Sequence, residues 1–216
     1  MVEVFATAAG AALAPAGCEV TLVEDRALAS LSDAVNPAGL VALCRFVDRP
    51  LEHVLDPARG TRLVAICADV RDPGNAGTVI RTADAAGADA VVLAGSSVDL
   101  YNPKTLRASV GSAFHLPLAV EPDVRRAVEA ARASGLTVLA ADGAGDVDLH
   151  EAGDLLVGPT AWLLGNEAWG LPAEVAALAG HRVRIPIRGR AESLNLATAA
   201  ALCLYESARA HDRPAQ

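Results

Sequence analysis

The feature that most constrains this chain is the alternation of apolar runs with helical segments from residue 62 onward. Apolar runs of strand length occupy residues 62–70, 90–95, 114–120, 136–142, 160–165 and 182–187. Helical patterns occupy residues 78–88, 104–112, 122–135 and 193–210. A strand that is apolar throughout is buried on both faces, which requires a parallel sheet covered by helices. The pattern therefore predicts an α/β fold with a mostly parallel sheet and helices on both faces.

The first 56 residues differ from the rest because they contain only short strand and helix pieces, closed by the turn-rich DPARG at 56–60. This is too little chain for a confident independent core. We therefore predict a small α/β domain over 1–56, a linker over 57–60 and a main domain over 61–216.

Composition excludes several classes of protein. Hydrophobic residues make up 52% and charged residues 20%, which is not a disordered composition. The uncharged stretch from Phe5 to Cys18 is too short to span a bilayer, and no basic residue precedes it. The four cysteines are widely spaced without a CxxC pair, which predicts reduced thiols and no metal site. We expect no membrane contact and a cytoplasmic location.

The charge is unevenly distributed. The net charge of −8 and pI near 5.1 argue mildly against a general nucleic-acid binder. However, HRVRIPIRGR at 181–190 holds four arginines within nine positions. A solvated strand face explains two alternating arginines but not four around a glycine turn, so this segment is a candidate basic patch.

Three polar stretches follow predicted strands, where open parallel sheets bind ligands. The first, RDPGNAGTVIRTADAAGA at 71–88, has a helix entry at Asp72, Pro73 and Gly74 and carries Asn75 and Arg81. A helix N-terminus attracts anions, although a capped helix with a surface arginine would explain the same residues.

The second stretch is LLGNEAWGLP at 163–172, where an apolar strand breaks into Gly165, Asn166 and Glu167. A glycine at a strand end permits close approach of the backbone to a ligand. An ordinary strand-to-helix turn with a helix starting near Pro172 is an equally good explanation of this stretch by itself.

The third stretch is RIPIRGRAESLNLATAAALCLYE at 184–206, in which Ser193 is the predicted N-cap of a long helix. Ser193, Leu194 and Asn195 would then lie at the mouth of the sheet. Capping explains the serine but not the arginine-rich loop before it.

Other chemistries lack their motifs. No GxGxxG, GxxxxGK[ST], HExxH or GxSxG sequence follows a predicted strand. A nicotinamide-linked oxidoreductase on a doubly wound sheet is an alternative, but it lacks the glycine fingerprint and an acidic ribose anchor.

The three stretches, in this order, resemble the motifs of the SpoU (TrmH-type) family of SPOUT RNA methyltransferases. NxGxxxRTADAxG at 75–87 resembles the first motif, LLGNExxGLP the second and IPxxGxxESLNLAxAxxLxLYE the third. KTLRASVGSAFHLPL at 104–118 is similar to the segment after the first motif. The resemblance covers essentially residues 61–216.

The resemblance implies a C-terminal trefoil knot whose loops bind S-adenosylmethionine. The implied cofactor-binding residues are Gly165, Asn166, Ile185, Ser193 and Leu194. It also implies a homodimer, for which the small residues of the alanine-rich helix 193–210 would permit close packing.

The implied reaction is transfer of the cofactor's methyl group to a ribose 2′-hydroxyl in rRNA or tRNA. Arg81 would take the catalytic role, with Asn75, Glu167 and Asn195 orienting it and the ribose. A guanidinium is a poor base, so we favour Arg81 as a stabiliser of the alkoxide or a phosphate contact. The RNA-binding candidates are Arg188, Arg190, Lys104 and Arg107. A non-catalytic RNA-binding protein that keeps the fold and the cofactor pocket is the alternative.

LSDAVNPAGLVALCRF at 31–46 resembles the second half of an RNA-binding domain of the ribosomal-protein-L30e type. The resemblance implies a partial domain of this type over 1–56.

Overall fold

The computed structural model describes residues 1–32, 34 and 36–212, and the chain divides into two units, Met1–Val47 and Asp48–Gln216. The boundary precedes the predicted end of the first domain at residue 56. Leu51, Val54 and Leu55 are buried in a hydrophobic cluster of the larger unit, which explains the difference. Two residues of the 31–46 segment, Asp33 and Val35, lie outside the described residues.

The smaller unit contains a three-stranded sheet and one short α-helix. Its elements are β1 (Glu3–Ala6), β2 (Thr21–Leu22), α1 (Asp25–Ser30) and β3 (Leu40–Leu43). The strand order is β2-β1-β3, with β2 parallel and β3 antiparallel to the central strand.

The larger unit is built on a parallel sheet of seven strands. They are β4 (Leu63–Ala68), β5 (Ala90–Ala94), β6 (Leu118–Glu121), β7 (Thr137–Ala141), β8 (Val147–Asp148), β9 (Thr160–Leu164) and β10 (His181–Arg184). Their order is β6-β5-β4-β9-β7-β10-β8, and every pair is parallel. The predicted mostly parallel sheet is confirmed.

Helices cover both faces of this sheet. They are α2 (Leu51–Val54), α3 (Pro73–Ala85), α4 (Pro103–Ser109), α5 (Val124–Ala133), α6 (Gly153–Leu156), α7 (Ala173–Ala176) and α8 (Leu196–His211). Buried residues of α3 and α8 pack on one face of the sheet, and those of α2 and α5 pack on the other. Successive residues of β4 point to opposite faces of the sheet: Cys67 packs in the cluster that includes α3 and α8, and Ile66 packs in the cluster that includes α2 and α5. None of the helices in the described part of the chain has the length and apolar character to cross a membrane.

Several predicted boundaries are wrong. The helix predicted over 78–88 begins five residues earlier, at Pro73, and ends at Ala85. The strand predicted over 114–120 begins only at Leu118, because Ser112–Phe114 forms a short 3₁₀ helix. The strand predicted over 182–187 ends at Arg184, two residues before Pro186, which has no N–H to continue a ladder. The long helix begins at Leu196, because Asn195 rather than Ser193 is its N-cap: Asn195 Oδ1 accepts from the N–H of Ala197 at 2.9 Å and of Thr198 at 3.3 Å.

Three alanines of α8 face the core of their own unit. Ala197, Ala200 and Ala210 are buried there, beside Trp162, whose Nε1 donates to Ser207 Oγ at 2.9 Å. The outward face of α8 instead carries exposed larger side chains, including Leu202 and Tyr205. These three alanines thus bring α8 close to its own sheet. Dimer packing by the small residues of this helix stays a prediction.

Candidate active site

A cleft of about 530 Å³ lies at the carboxyl end of the sheet, beside the segments that follow β7, β9 and β10. Because parallel strands all end at this edge, segments far apart in sequence meet here. The lining includes all five predicted cofactor-binding residues, Gly165, Asn166, Ile185, Ser193 and Leu194, together with Glu167 and Asn195.

One side of the cleft is a tight turn, Gly165–Gly170, which we call the turn wall. Asn166 N–H donates to the Gly170 carbonyl and Gly170 N–H donates to the Asn166 carbonyl, both at 2.9 Å. The Asn166 side chain, only 6% exposed, accepts from Ala168 N–H at 2.8 Å. These hydrogen bonds fix the backbone of the turn through groups of the protein itself.

Gly165 is required by the turn itself. A Cβ at this position would lie 2.5 Å from the carbonyl carbon of Gly170 and 2.6 Å from the nitrogen of Leu171. Both are backbone atoms that cannot rotate away. Sequence reasoning attributed this glycine to close approach of a ligand, whereas the structure attributes it to backbone packing within the wall.

Asp69 supports the turn wall and was not among the predicted site residues. It is one of two described non-glycine residues with positive φ, at +55°, a conformation that Asp tolerates better than most residues. Its carbonyl accepts from Asn166 Nδ2 and its Oδ1 accepts from Ser96 N–H, both at 2.7 Å. Asp69 therefore connects the turn wall to the loop after β5. A lone Asp after a buried strand was the available sequence signal.

A chain of three polar side chains joins the predicted motifs. Glu167 Oε1 accepts from Asp72 N–H at 3.1 Å and from Asn75 Nδ2 at 3.2 Å. Asn75 Oδ1 in turn accepts from Asn195 Nδ2 at 2.9 Å. Glu167, Asn75 and Asn195, here called the polar chain, were predicted to act together, and the structure brings them together.

The start of α3 is capped by Asp72, whose Oδ1 accepts from Asn75 N–H at 2.8 Å. This hydrogen bond, assisted by Lys104 Nζ at 3.2 Å from Asp72 Oδ2, holds the pKa of the Asp72 carboxyl below its usual value. Lys104, a predicted RNA contact, is therefore paired with an acid at the mouth of the site.

Arg81 lies apart from the polar chain. It is exposed on α3, about 9 Å further along the helix axis than Asn75 at 1.5 Å per residue. Among the described residues its guanidinium forms no hydrogen bond or ion pair. The structure thus gives no contact by which Asn75, Glu167 or Asn195 orients its guanidinium.

Residues 186–194 form an open segment that contributes Ile187, Glu192, Ser193 and Leu194 to the lining of the cleft, and we call it the arginine loop. Across the described residues, no member of this loop forms a hydrogen bond or ion pair. Arg188 and Arg190 are exposed in it. Arg182 instead pairs with Asp142 at 2.8 Å and Arg184 with Asp148 at 3.6 Å, so acids balance half of the predicted basic patch.

The buried thiols are unsuited to nucleophilic chemistry. Burial, with a smaller contribution from the Glu167 carboxylate, raises the pKa of Cys67 to about 12, and burial also raises the pKa of Cys203. Both are therefore neutral near pH 7. No group of three or more His, Cys, Asp and Glu side chains within the described ranges is arranged to hold a metal ion.

An aromatic ring stands at the rim of the cleft. Trp169, in the turn wall, is 58% exposed, and the guanidinium carbon of Arg71 lies 6.0 Å from its ring centroid. The backbone N–H of Arg71 donates to Glu167 Oε2 at 3.3 Å, so the pair of Arg71 and Trp169 is connected to the polar chain.

The model of the SpoU rRNA Methylase family matches residues 62–205, which contain the turn wall, the arginine loop and the polar chain. The chain belongs to this family. It is 33% identical over 192 residues to the 23S rRNA (guanosine(2553)-2′-O)-methyltransferase RlmP of Bacillus subtilis, covering 88% of this chain and 72% of that protein. It is 38% identical over 178 residues to a 23S rRNA (uridine(2479)-2′-O)-methyltransferase of Streptomyces viridochromogenes, covering 80% and 61%.

Solved structures of this family include one with the cofactor bound. The SpoU methyltransferase AviRb from Streptomyces viridochromogenes, in complex with AdoMet (S-adenosylmethionine), superposes with a TM-score of 0.80 at 33% identity. The match covers 96% of this chain and 81% of that one. Together with the family match, this confirms the predicted fold class.

The cleft fits the same cofactor. Its volume is within the usual range for small-molecule sites, and its lining combines apolar side chains such as Leu164, Val183 and Ile185 with the polar turn wall. An adenine ring needs apolar walls with a few backbone partners, whereas the amino-acid end needs polar groups. The cleft provides both.

Proposed function

We propose that this chain transfers the methyl group of S-adenosylmethionine to a ribose 2′-hydroxyl of RNA. The observation that carries this function is the polar chain, which joins all three motif segments at the mouth of a cleft of cofactor size. We propose ribosomal RNA as the substrate, because both relatives described above are named for 23S rRNA.

When bound, the cofactor supplies an electrophilic methyl group on a sulfonium. The turn wall and the arginine loop would enclose the cofactor, with Gly165, Asn166, Ile185, Ser193 and Leu194 as its contacts. The hydroxyl must be held in line with the methyl group and must lose its proton, which depends on positioning and exclusion of water.

Glu167 serves as a positioning residue in this mechanism. Its carboxylate accepts three hydrogen bonds, from Arg71 N–H, Asp72 N–H and Asn75 Nδ2, so it fixes the start of α3 against the turn wall. Asn75 and Asn195 then present amide groups toward the ribose. Arg81, as a permanent cation, stabilises the developing alkoxide or grips the adjacent phosphate.

The alternative of a non-catalytic RNA-binding protein retains the fold and the pocket. It would have no need to keep Arg81 or a hydrogen-bonded polar chain. Hydrogen bonds that connect three separate segments favour an assembled reaction centre over a surface that only binds.

Arg81→Ala tests the reaction. Methyl transfer from labelled S-adenosylmethionine to 23S rRNA should fall by at least about 100-fold, the size expected when one charge-stabilising donor is removed. Binding of S-adenosylhomocysteine, measured by calorimetry, should change less than a few-fold. Arg125→Ala, which removes an exposed arginine on α5, is the matched control and should retain activity. Substantial turnover by Arg81→Ala would remove this residue from the mechanism.

We propose a homodimer that uses the outward face of α8. Its support is the exposure of the apolar side chains of Leu202 and Tyr205 on this helix. Replacing both by Glu should produce a folded monomer in sedimentation experiments, since both side chains already face solvent. A variant that stays dimeric would contradict this interface.

We further propose the trefoil knot, a cytoplasmic location and RNA binding by the smaller unit. The knot is supported by the order of β7, β9 and β10 and by membership in the family. The location is supported by the proposed rRNA substrate and by four free cysteines among the described residues. RNA binding by the smaller unit rests on its resemblance to the L30e type over 31–46.

A further inference from the structure

We infer that Trp169 and Arg71 form a platform on which one unpaired nucleobase of the substrate RNA stacks. The inference rests on the proposed RNA methyltransferase function and assigns a base-binding site to that reaction centre. It begins from the exposure of an aromatic ring that the fold does not use.

The two tryptophans of the chain have opposite environments. Trp162 is fully buried in the sheet, and its Nε1 donates to Ser207. Trp169 is 58% exposed at the rim of the cleft. A tryptophan ring gains much of its favourable free energy from burial, so the exposed ring has apolar area available to a ligand.

The backbone that carries Trp169 is held in place before any ligand binds. The reciprocal hydrogen bonds of Asn166 and Gly170 close the turn on either side of it. Close packing of Gly165 on the Gly170–Leu171 backbone holds the turn against the strand end. Stacking on a ring with a preformed backbone costs less conformational entropy than stacking on a mobile loop.

Arg71 places a positive charge beside the Trp169 ring. Its guanidinium carbon lies 6.0 Å from the centroid of Trp169, and none of the ion pairs in the described part of the chain involves it. An arginine beside an aromatic ring is suited to a nucleotide, because the planar groups stack on a base while the charge attracts its phosphate.

The position of the pair favours a base next to the reacting ribose. Glu167 accepts from the Arg71 N–H and from Asn75 Nδ2, so the pair and the polar chain share one carboxylate. A base stacked here would help to fix the ribose for attack. The adenine of the cofactor is the competing occupant of the ring.

The test compares a short oligouridylate with an abasic oligonucleotide of the same length, because the second has phosphates but no bases. The wild-type protein should bind the oligouridylate roughly ten-fold more tightly, the size expected for one stacked base. Trp169→Ala should abolish this preference, and Trp169→Phe should restore most of it. Binding of S-adenosylhomocysteine should change less than two-fold in both variants.

Phe114→Ala, which removes an equally exposed ring outside the cleft, is the matched control and should keep the base preference. Three outcomes would overturn the platform. Trp169→Ala could weaken binding of both oligonucleotides equally, it could weaken binding of S-adenosylhomocysteine instead, or it could change only the oligomeric state. Wild-type methyl transfer to 23S rRNA separates the two proposals: an inactive wild-type protein contradicts the function, whereas an active protein without base preference contradicts only the platform.

Discussion

The turn wall and the arginine loop both contribute to the lining of the same cleft but are built in different ways. The turn wall is closed by reciprocal backbone hydrogen bonds and tied to Asp69 by the buried amide of Asn166. In the arginine loop, no hydrogen bond joins any of residues 186–194 to the rest of the described chain. Hydrogen bonding resumes at Asn195, which caps α8 and donates to Asn75.

This difference indicates a division of labour. Backbone groups that are already paired hold the geometry needed for in-line transfer at no further entropic cost. A segment without internal partners can adjust to a ligand, but ordering it costs conformational free energy when the ligand binds. We therefore expect substitutions in the turn wall to affect the shape of the site, and substitutions in the arginine loop to affect binding of the charged substrate.

For the comparison of the two segments, the largest expected effect comes from glycine substitution. Gly165→Ala forces a methyl group against the Gly170 backbone, with a strain of about 1–3 kcal/mol, and should lower affinity for S-adenosylhomocysteine by about ten-fold or more. Gly189→Ala, the matched change in the arginine loop, meets no atom within 4 Å and should leave affinity unchanged. Calorimetry, with thermal unfolding as the check on folding, measures both. An equal decrease in the two variants would contradict the difference between the walls.

A smaller effect is expected from the arginines. Removing Arg188 and Arg190 together should weaken RNA binding across unrelated sequences. The slope of log K against log salt should become shallower by roughly 0.7–0.9 for every phosphate that the variant no longer neutralises. Affinity for S-adenosylhomocysteine, measured in parallel, should be unchanged.

The paired arginines provide the comparison. Arg182 and Arg184 are engaged by Asp142 and Asp148, so replacing them should leave the salt slope close to that of the wild-type protein. If these replacements lower the slope as much as removal of Arg188 and Arg190, the basic surface extends along β10 and the loop is not its centre.

The smallest effect is expected at Asp72, which caps α3 behind the turn wall. Asp72→Ala removes the cap and should lower the free energy of unfolding by about 1 kcal/mol at pH 7. Asp72→Asn keeps a capping side chain and removes only the ion pair with the largely exposed Lys104, so its destabilisation should be smaller.

The pH dependence follows from the lowered pKa of Asp72. A carboxyl with a lowered pKa stabilises the fold above the pKa of the unfolded state, and this contribution disappears as pH falls through the folded pKa. The difference between wild type and Asp72→Ala should therefore be complete at pH 7 and shrink at strongly acidic pH in denaturant titrations. A difference that grows as pH falls would contradict this role.

Local sequence pattern was sufficient for the fold class and for most strands of the parallel sheet, but not for β8, which is only two residues long. Runs such as 62–70 and 160–165 are largely apolar, so they could only be buried strands. Local pattern was insufficient where two residues compete for one role. Ser193 and Asn195 are both good N-caps, and the structure distinguishes them by the capping hydrogen bonds that Asn195 accepts from Ala197 and Thr198 N–H. Asn195 is also held by its hydrogen bond to Asn75, a residue far away in sequence.

The ion pairs and hydrogen bonds of the site could not be predicted from local sequence, because they join residues that are far apart in the chain. Arg182 is paired with Asp142 because β10 lies beside β7 in a register that aligns Arg182 with Ala140. The role of Asp69 likewise depends on a left-handed backbone and on Asn166, whose amide arrives from the end of β9. Knowledge of the strand order was needed before either could be recognised.

The strand order also has a consequence for how the chain folds. Strand β4 pairs with the central strand β9, so Leu63 meets Thr160 only after most of the chain is available. The buried side chains of α8, including Cys203 and Leu204, fill the core last in chain order. Native pairings of such long sequence separation slow folding, because loop closure costs entropy before the pairing can stabilise the chain. During synthesis, therefore, the core of the larger unit cannot be completed until the C-terminal helix has left the ribosome.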